Sequence, residues 1–130
     1  MITNVGLNYI LDQFFGSDVF YVGLKGSGTI AAADTMASHA GWTEIEDYDE
    51  AVRQTLTMGS AASQSIDNSA SVATFTISAS VTIAGYFLTT VDTKGGTTGT
   101  LVSAGDFTSA QSAADDDVLE ITLTFSAADA

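Results

Sequence analysis

The stretch Val118–Ser126, VLEITLTFS, decides the fold. Leu119, Ile121, Leu123 and Phe125 alternate with Val118, Glu120, Thr122 and Thr124. A period of two belongs to a strand, because successive side chains leave a pleated backbone on opposite sides. One set is apolar and the other is Thr-rich, so the segment predicts a strand with one face buried and the other in water. Working outward, Phe75 and Ile77 alternate with Thr74 and Thr76 in SVATFTIS, after turn chemistry at Asp67-Asn68. A break at Ala79-Ser80 precedes VTIAGYFLTTV. The Gly-rich loop Asp92–Gly99, DTKGGTTG, has the composition of a hairpin connection. TLVSAGDF follows and leads into a polar stretch ending at Asp115–Asp117.

Upstream, VFYVGL (Val19–Leu24) is aromatic and β-branched and predicts a buried strand that KGSGT interrupts. WTEIE and VRQTLTM read as strands, whereas DTMASHAG predicts a short helix with Asp34 as N-cap and Gly41 past its end. Only the first segment has a clear helical period. Leu7, Ile10 or Leu11, and Phe14 recur at helical spacing, with Thr3 or Asn4 as N-cap and Gly16 suited to the left-handed position after the end. These signals predict one domain over 1–130: all-β, an antiparallel β-sandwich, jelly-roll-like, with one short N-terminal helix at about 4–15 and strands from about 19 onward. Helix should occupy under about a fifth of the chain. The predicted core comprises Phe20, Val22, Phe75, Ile77, Ile83 and Phe87, together with Leu119, Ile121, Leu123 and Phe125.

Charge narrows the function. Lys25, Arg53 and Lys94 stand against sixteen carboxylates, for a net charge of −13. Such a chain repels phosphate backbones and anionic lipid surfaces, so neither nucleic acid nor membrane is an expected partner. No apolar run approaches the roughly 20 residues of a membrane span. Met1–Phe15 lacks the basic region and cleavage site of a secretory leader, which predicts synthesis and folding in a cytoplasm. Without Cys, thiolate chemistry is excluded.

Catalytic signatures are missing too. His39 is the only His, so multi-His zinc sites are excluded, and its predicted place is the last turn of the short helix. Glu44, Glu46, Asp47, Asp49 and Glu50 crowd seven positions but lack the central Gly of a calcium loop, and Trp42 and Ile45 interleave as in a strand. Asp115–Asp117 reads as solvated polar punctuation before a strand. GLKGSG is neither a dinucleotide fingerprint nor a phosphate loop, and no nucleophile elbow occurs. The sequence therefore predicts no enzyme, no cofactor and no catalytic or metal-ligating residue. Trp42 is expected in the core.

Several phrases resemble a group of small tailed-phage structural proteins. These are TNVGLNYILD, YVGLKGSGT leading to AADTMASHAGWTEI, ASVATFTI, IAGYFLTTVDTKGGTTGTLVSAGDF, and the closing DVLEITLTFS. The resemblance implies a virion component of capsid-decoration (cement) type, on the capsid exterior and made in the host cytoplasm. Its implied partners are the major capsid protein and further copies of itself in a homotrimer. Leu7, Leu11, Phe14 and Phe15 are the expected partner interface, since this helix carries more aromatic surface than a short cap needs. A tail or fibre-associated protein contacting the host surface is the alternative. A carbohydrate-binding module comes third and would have to use Trp42, Tyr48 and Tyr86.

Overall fold

The computed structural model describes residues 1–129. It is mostly β and antiparallel, with one N-terminal helix, α1 (Asn4–Gly16), of 13 residues. The Thr3 hydroxyl accepts from the Gly6 N–H at 3.2 Å and caps its start. The other end differs from expectation. Gly16 belongs to the helix, and Ser17 caps it in a right-handed conformation, donating its hydroxyl to the Phe14 carbonyl at 2.9 Å.

Strand β1 (Phe20–Gly28) is central to a five-stranded sheet. One edge pairs with β6 (Val81–Thr89), from Tyr21↔Thr89 to Lys25↔Gly85. The other edge is shared by β3 (Gln54–Leu56) and β2 (Trp42–Ile45). β7 (Leu101–Ala113) lies on the far side of β6. The remaining strands form two short ladders, β4 (Ser65–Asp67) with β9 (Thr124–Ser126) and β5 (Ala73–Thr76) with β8 (Val118–Ile121). Each ladder continues into the other through the chain, so together they make one interrupted ribbon. The sheets do not close on themselves.

Several sequence expectations need correction. KGSG does not interrupt the strand: β1 runs to Gly28, with a register shift between Lys25 and Gly28. Gly28 has φ +123, and a Cβ there would stand 1.9 Å from the Gly41 carbonyl oxygen, so the glycine permits a close strand crossing. Residues 34–41 are not helical; Thr35 and Ser38 exchange backbone hydrogen bonds in a tight turn. VRQTLTM shrinks to the three residues of β3. The polar run after Phe107, for which no element was predicted, is the second half of β7 as far as Ala113.

The deciding segment behaves as a strand, yet it is divided. Ile121 and Leu123 are buried and Leu119 and Phe125 half-buried, while Val118, Glu120, Thr122 and Thr124 are exposed. The alternation is as expected. The ladder, however, breaks at Thr122-Leu123, where the buried Asn68 side chain takes over. Its Nδ2 donates to the Ile121 carbonyl (3.1 Å), and its Oδ1 accepts from the Leu123 N–H (2.7 Å). Asn68 thus closes the gap between β8 and β9 and is not merely a turn residue.

The main core lies between the sheet and the ribbon and includes Phe20, Val22, Phe75, Ile77, Ile83, Ile121 and Leu123. Phe87 is buried as expected but on the opposite face, with Met36 and Trp42. The β6–β7 register shifts between Ile83 and Gly85. Beyond that irregularity Leu88 faces the main core and Phe87 faces away. Gly23 lies opposite Phe87, and a Cβ there would be 2.2 Å from the ring. Leu123→Ala is expected to cost about 2–5 kcal/mol, as a large-to-small change at a packed site. An unfolding midpoint in urea equal to that of the parent protein would contradict this placement.

Candidate functional site

The helix α1 turns Leu7 and Leu11 into the protein, and two polar side chains beside them tie it to a neighbouring loop. Asn8 Oδ1 accepts from the Gln64 N–H and Asp12 Oδ1 from the Ala61 N–H, both at 2.8 Å. These two carboxamide and carboxylate groups, four residues apart on one helix face, hold a loop in which Ser63 and Gln64 have positive φ (52 and 59). Further apolar residues point outward: Val5 is 78% exposed, Tyr9 65%, Ile10 48% and Phe14 45%. A surface helix ordinarily has one apolar stripe, turned inward. This one carries exposed apolar residues as well.

Of the four residues expected at a partner interface, the structure leaves only Phe14 exposed. Leu7 and Leu11 are buried, so they are corrected to packing residues. Phe15 is half-buried against Phe20 and Phe125, with ring centroids 5.7 and 5.0 Å away. Phe14 stacks on Phe20 at 5.2 Å while keeping its outer side open. The sequence signal that marks the outer stripe is Val5, Tyr9, Ile10 and Phe14; helical spacing alone could not say which of the two apolar stripes turns inward.

The acidic segment is structural at its key positions. Glu44 on β2 receives the Arg53 guanidinium at two points, Nε to Oε1 (2.9 Å) and Nη2 to Oε2 (2.7 Å). The same guanidinium donates to the Val91 and Gly96 carbonyls and lies 5.0 Å from the Phe87 ring centroid. Both oxygens of Glu50 accept the Thr76 N–H at 3.0 Å. Asp117 Oδ2 accepts from the Ala114 N–H inside a tight turn. Among the described residues, no three His, Asp or Glu side chains converge on a point where an ion could sit.

All three basic residues are engaged internally. Lys25, fully buried, donates to the Gly26 and Gly28 carbonyls and to Asp106 Oδ1, the last at 2.7 Å. Asp106 lies in register with Gly85, itself opposite Lys25, so the ammonium crosses a residue without a side chain. Lys94 donates to the Tyr48 carbonyl at 2.7 Å with its Nζ 4.0 Å from that ring centroid. The solvent-facing charge of this protein is therefore almost wholly negative. The sequence shows that these cations are few but gives no sign that Lys25 and Arg53 are buried.

His39 stacks on Trp42 at 4.1 Å, and its Nδ1 lies 3.0 Å from the Trp42 carbonyl oxygen. Trp42 is buried, as expected, and its indole N–H donates to Asp34 Oδ2 at 3.0 Å. The Ala31 N–H and that indole hold the Asp34 carboxyl below its ordinary pKa. Tyr48 is also buried, and Tyr86 is half-buried with its hydroxyl 3.2 Å from Ser103 Oγ. Two of the three aromatics that a glycan platform would require therefore face inward.

The Tyr48 hydroxyl finds no hydrogen-bond partner among the described residues. Burial, then the Glu44 carboxylate, pushes its pKa well above the ordinary tyrosine value. The phenol therefore stays protonated in the folded chain while the unfolded chain ionises near pH 10. Stability from this group is complete below pH 10 and is lost as pH rises above it. Tyr48→Phe should leave stability at pH 7 unchanged or improved, since a buried hydroxyl without a partner is removed. It should also reduce the loss between pH 10 and 11, read by urea titrations at both values. A variant that loses stability at pH 7 would show that the hydroxyl is bonded.

No protein-family model matches this chain, and no curated protein is similar to it.

Proposed function

We propose that this protein is a non-enzymatic structural component of a tailed-phage virion. It docks on the outer capsid surface against the major capsid protein and reinforces the shell. The observation that carries the reading is the outer stripe of α1, with Val5, Tyr9, Ile10 and Phe14 in solvent while the Asn8 and Asp12 side chains tie the helix to residues 61 and 64. An apolar stripe displayed by a helix pinned in place by polar bonds is a surface prepared for a protein partner. The resemblance of several sequence phrases to small phage structural proteins suggests the class of partner. In this reading the five-stranded sheet and the interrupted ribbon are the two layers of an open, jelly-roll-like sandwich, and three copies assemble around a capsid three-fold or quasi-three-fold position.

Docking of this kind rests on apolar and hydrogen-bonded contacts, because Lys25, Arg53 and Lys94 are engaged within the chain. Three weak sites on one trimer reinforce each other through effective concentration. Retention on purified particles should therefore persist in 1 M salt, where the Debye length falls to about 3 Å. Tyr9→Asp combined with Ile10→Asp should abolish retention while leaving the unfolding midpoint unchanged, since both side chains are exposed. The deciding experiment is a cryo-electron microscopy map of the intact particle. Density at a handful of tail positions would instead assign the protein to the tail or fibre, and release by salt would remove the apolar docking mode.

A further inference from the structure

β7 and β8 are joined by the tight turn 114–117, in which the Asp117 N–H donates to the Ala114 carbonyl and the Ala114 N–H to Asp117 Oδ2. Strands joined so tightly usually pair with each other. These two do not. β7 pairs with β6, starting at Val81↔Ala113, and β8 pairs with β5, starting at Thr76↔Val118. The hairpin is splayed, and the wedge between its arms is an open cleft of about 300 Å³ lined by Phe107, Gln111, Leu119 and Ile121. A smaller recess of about 180 Å³ at the turn end is lined in part by Ser112, Asp117 and Val118. Phe107 and Leu119 pack on the main core from this side, so the cleft opens on apolar side chains.

Each arm has a strand partner on one side only among the described residues. Exposed edges recruit other strands, and proteins usually guard them with Lys, Pro or a covering element. β7 has neither Lys nor Pro over 13 residues, and its one charge, Asp106, is held by Lys25. The charge at the cleft is negative: Glu120 lines it and Asp117 lines the adjoining recess, with no Lys, Arg or His in either lining. On the neighbouring β5 side, Glu50 sits on the Thr76 N–H. A second copy of this chain is a poor occupant, because its own cations are engaged internally and its acids would meet these.

We propose that the β7–β8 cleft binds an extended segment of a different protein, one with alternating apolar residues flanked by Lys or Arg, which adds as a strand between the two arms. Backbone hydrogen bonds would give affinity, the apolar pocket register, and the acidic surround selectivity. The inference is independent of the virion reading and of α1.

Three synthetic peptides test it: Lys-Val-Thr-Val-Thr-Val-Lys, the same core with Glu at both ends, and the Lys-ended peptide with Pro in place of both Thr. The third retains the charge but loses two backbone donors. Fluorescence anisotropy should rank the first at least tenfold tighter than either of the others. Hydrogen exchange should slow at residues 107–113 and 117–122 when it binds. Glu120→Lys, at an exposed position, should weaken the Lys-ended peptide several-fold without altering the fold. No binding, equal binding of the two Lys-ended peptides, or protection confined to other segments would each overturn the proposal. None of these outcomes bears on whether the protein is found in a virion.

Discussion

Arg53→Ala is expected to lower stability by about 3–5 kcal/mol, the cost of breaking a buried ion pair by removing one member. Arg53 and Glu44 have side chains 0% and 8% exposed. Removing the guanidinium leaves the Glu44 carboxylate desolvated, with only the Gly95 N–H as a remaining bond at 3.1 Å. It also strips donors from the Val91 and Gly96 carbonyls, and it empties the space beside Phe87. Against a total stability of about 5–15 kcal/mol for an ordinary domain, such a loss removes from a fifth to all of the margin. The check is a double variant. Arg53→Met with Glu44→Leu removes both charges together, so it should be less damaging than Arg53→Ala alone. A single variant within about 1 kcal/mol of the parent protein in urea would mean that water already reaches this pair.

Asn68→Ala is the second large effect. The side chain is buried, and it serves the Ile121 carbonyl and the Leu123 N–H at the point where the ladder opens. Each orphaned buried backbone group costs about 1–3 kcal/mol, so the pair predicts a loss of roughly 2–6 kcal/mol. Asn68→Asp separates the two bonds. A carboxylate still accepts from the Leu123 N–H but turns an acceptor toward the Ile121 carbonyl, so it should also destabilise, more at pH 7 than at pH 4, where protonation supplies a donor. Hydrogen exchange at Leu123 reads the local effect. An Asn68→Ala protein with an unchanged unfolding midpoint and a protected Leu123 amide would show that another group bridges the break.

These two residues also mark where sequence reading stops. Arg53 alternates with Val52, Gln54 and Leu56 in VRQTLTM, on the side it shares with Thr55 and Thr57, and Asn68 sits in good turn chemistry. Local pattern assigns both to the surface. Their burial depends on partners nine residues or more distant: Glu44, Val91 and Gly96 for one, Ile121 and Leu123 for the other. Trp42 and the alternation of Leu119 to Phe125 were legible because apolar bulk and period two constrain burial directly. The exposed apolar residues of α1 were only partly legible. Of Leu7, Leu11, Phe14 and Phe15, expected as exposed apolar surface, only Phe14 is exposed, and the outward-facing residues are Val5, Tyr9, Ile10 and Phe14. Asn8 and Asp12 made the choice, by bonding to a loop more than 45 residues away in the chain.

By itself the sequence determined the mostly β, antiparallel character, the N-terminal helix, most of the core and the overall anionic charge. Each follows from local periodicity, side-chain shape or a sum over residues. Tertiary structure alone decided that β8 and β9 are separate ladders, that Phe87 lies across the sheet from Val22, that Lys25 and Arg53 are buried, and that the β7–β8 hairpin opens. These outcomes depend on register shifts and on single polar side chains satisfying backbone groups far away along the chain. A periodic pattern has no term for a partner it cannot place.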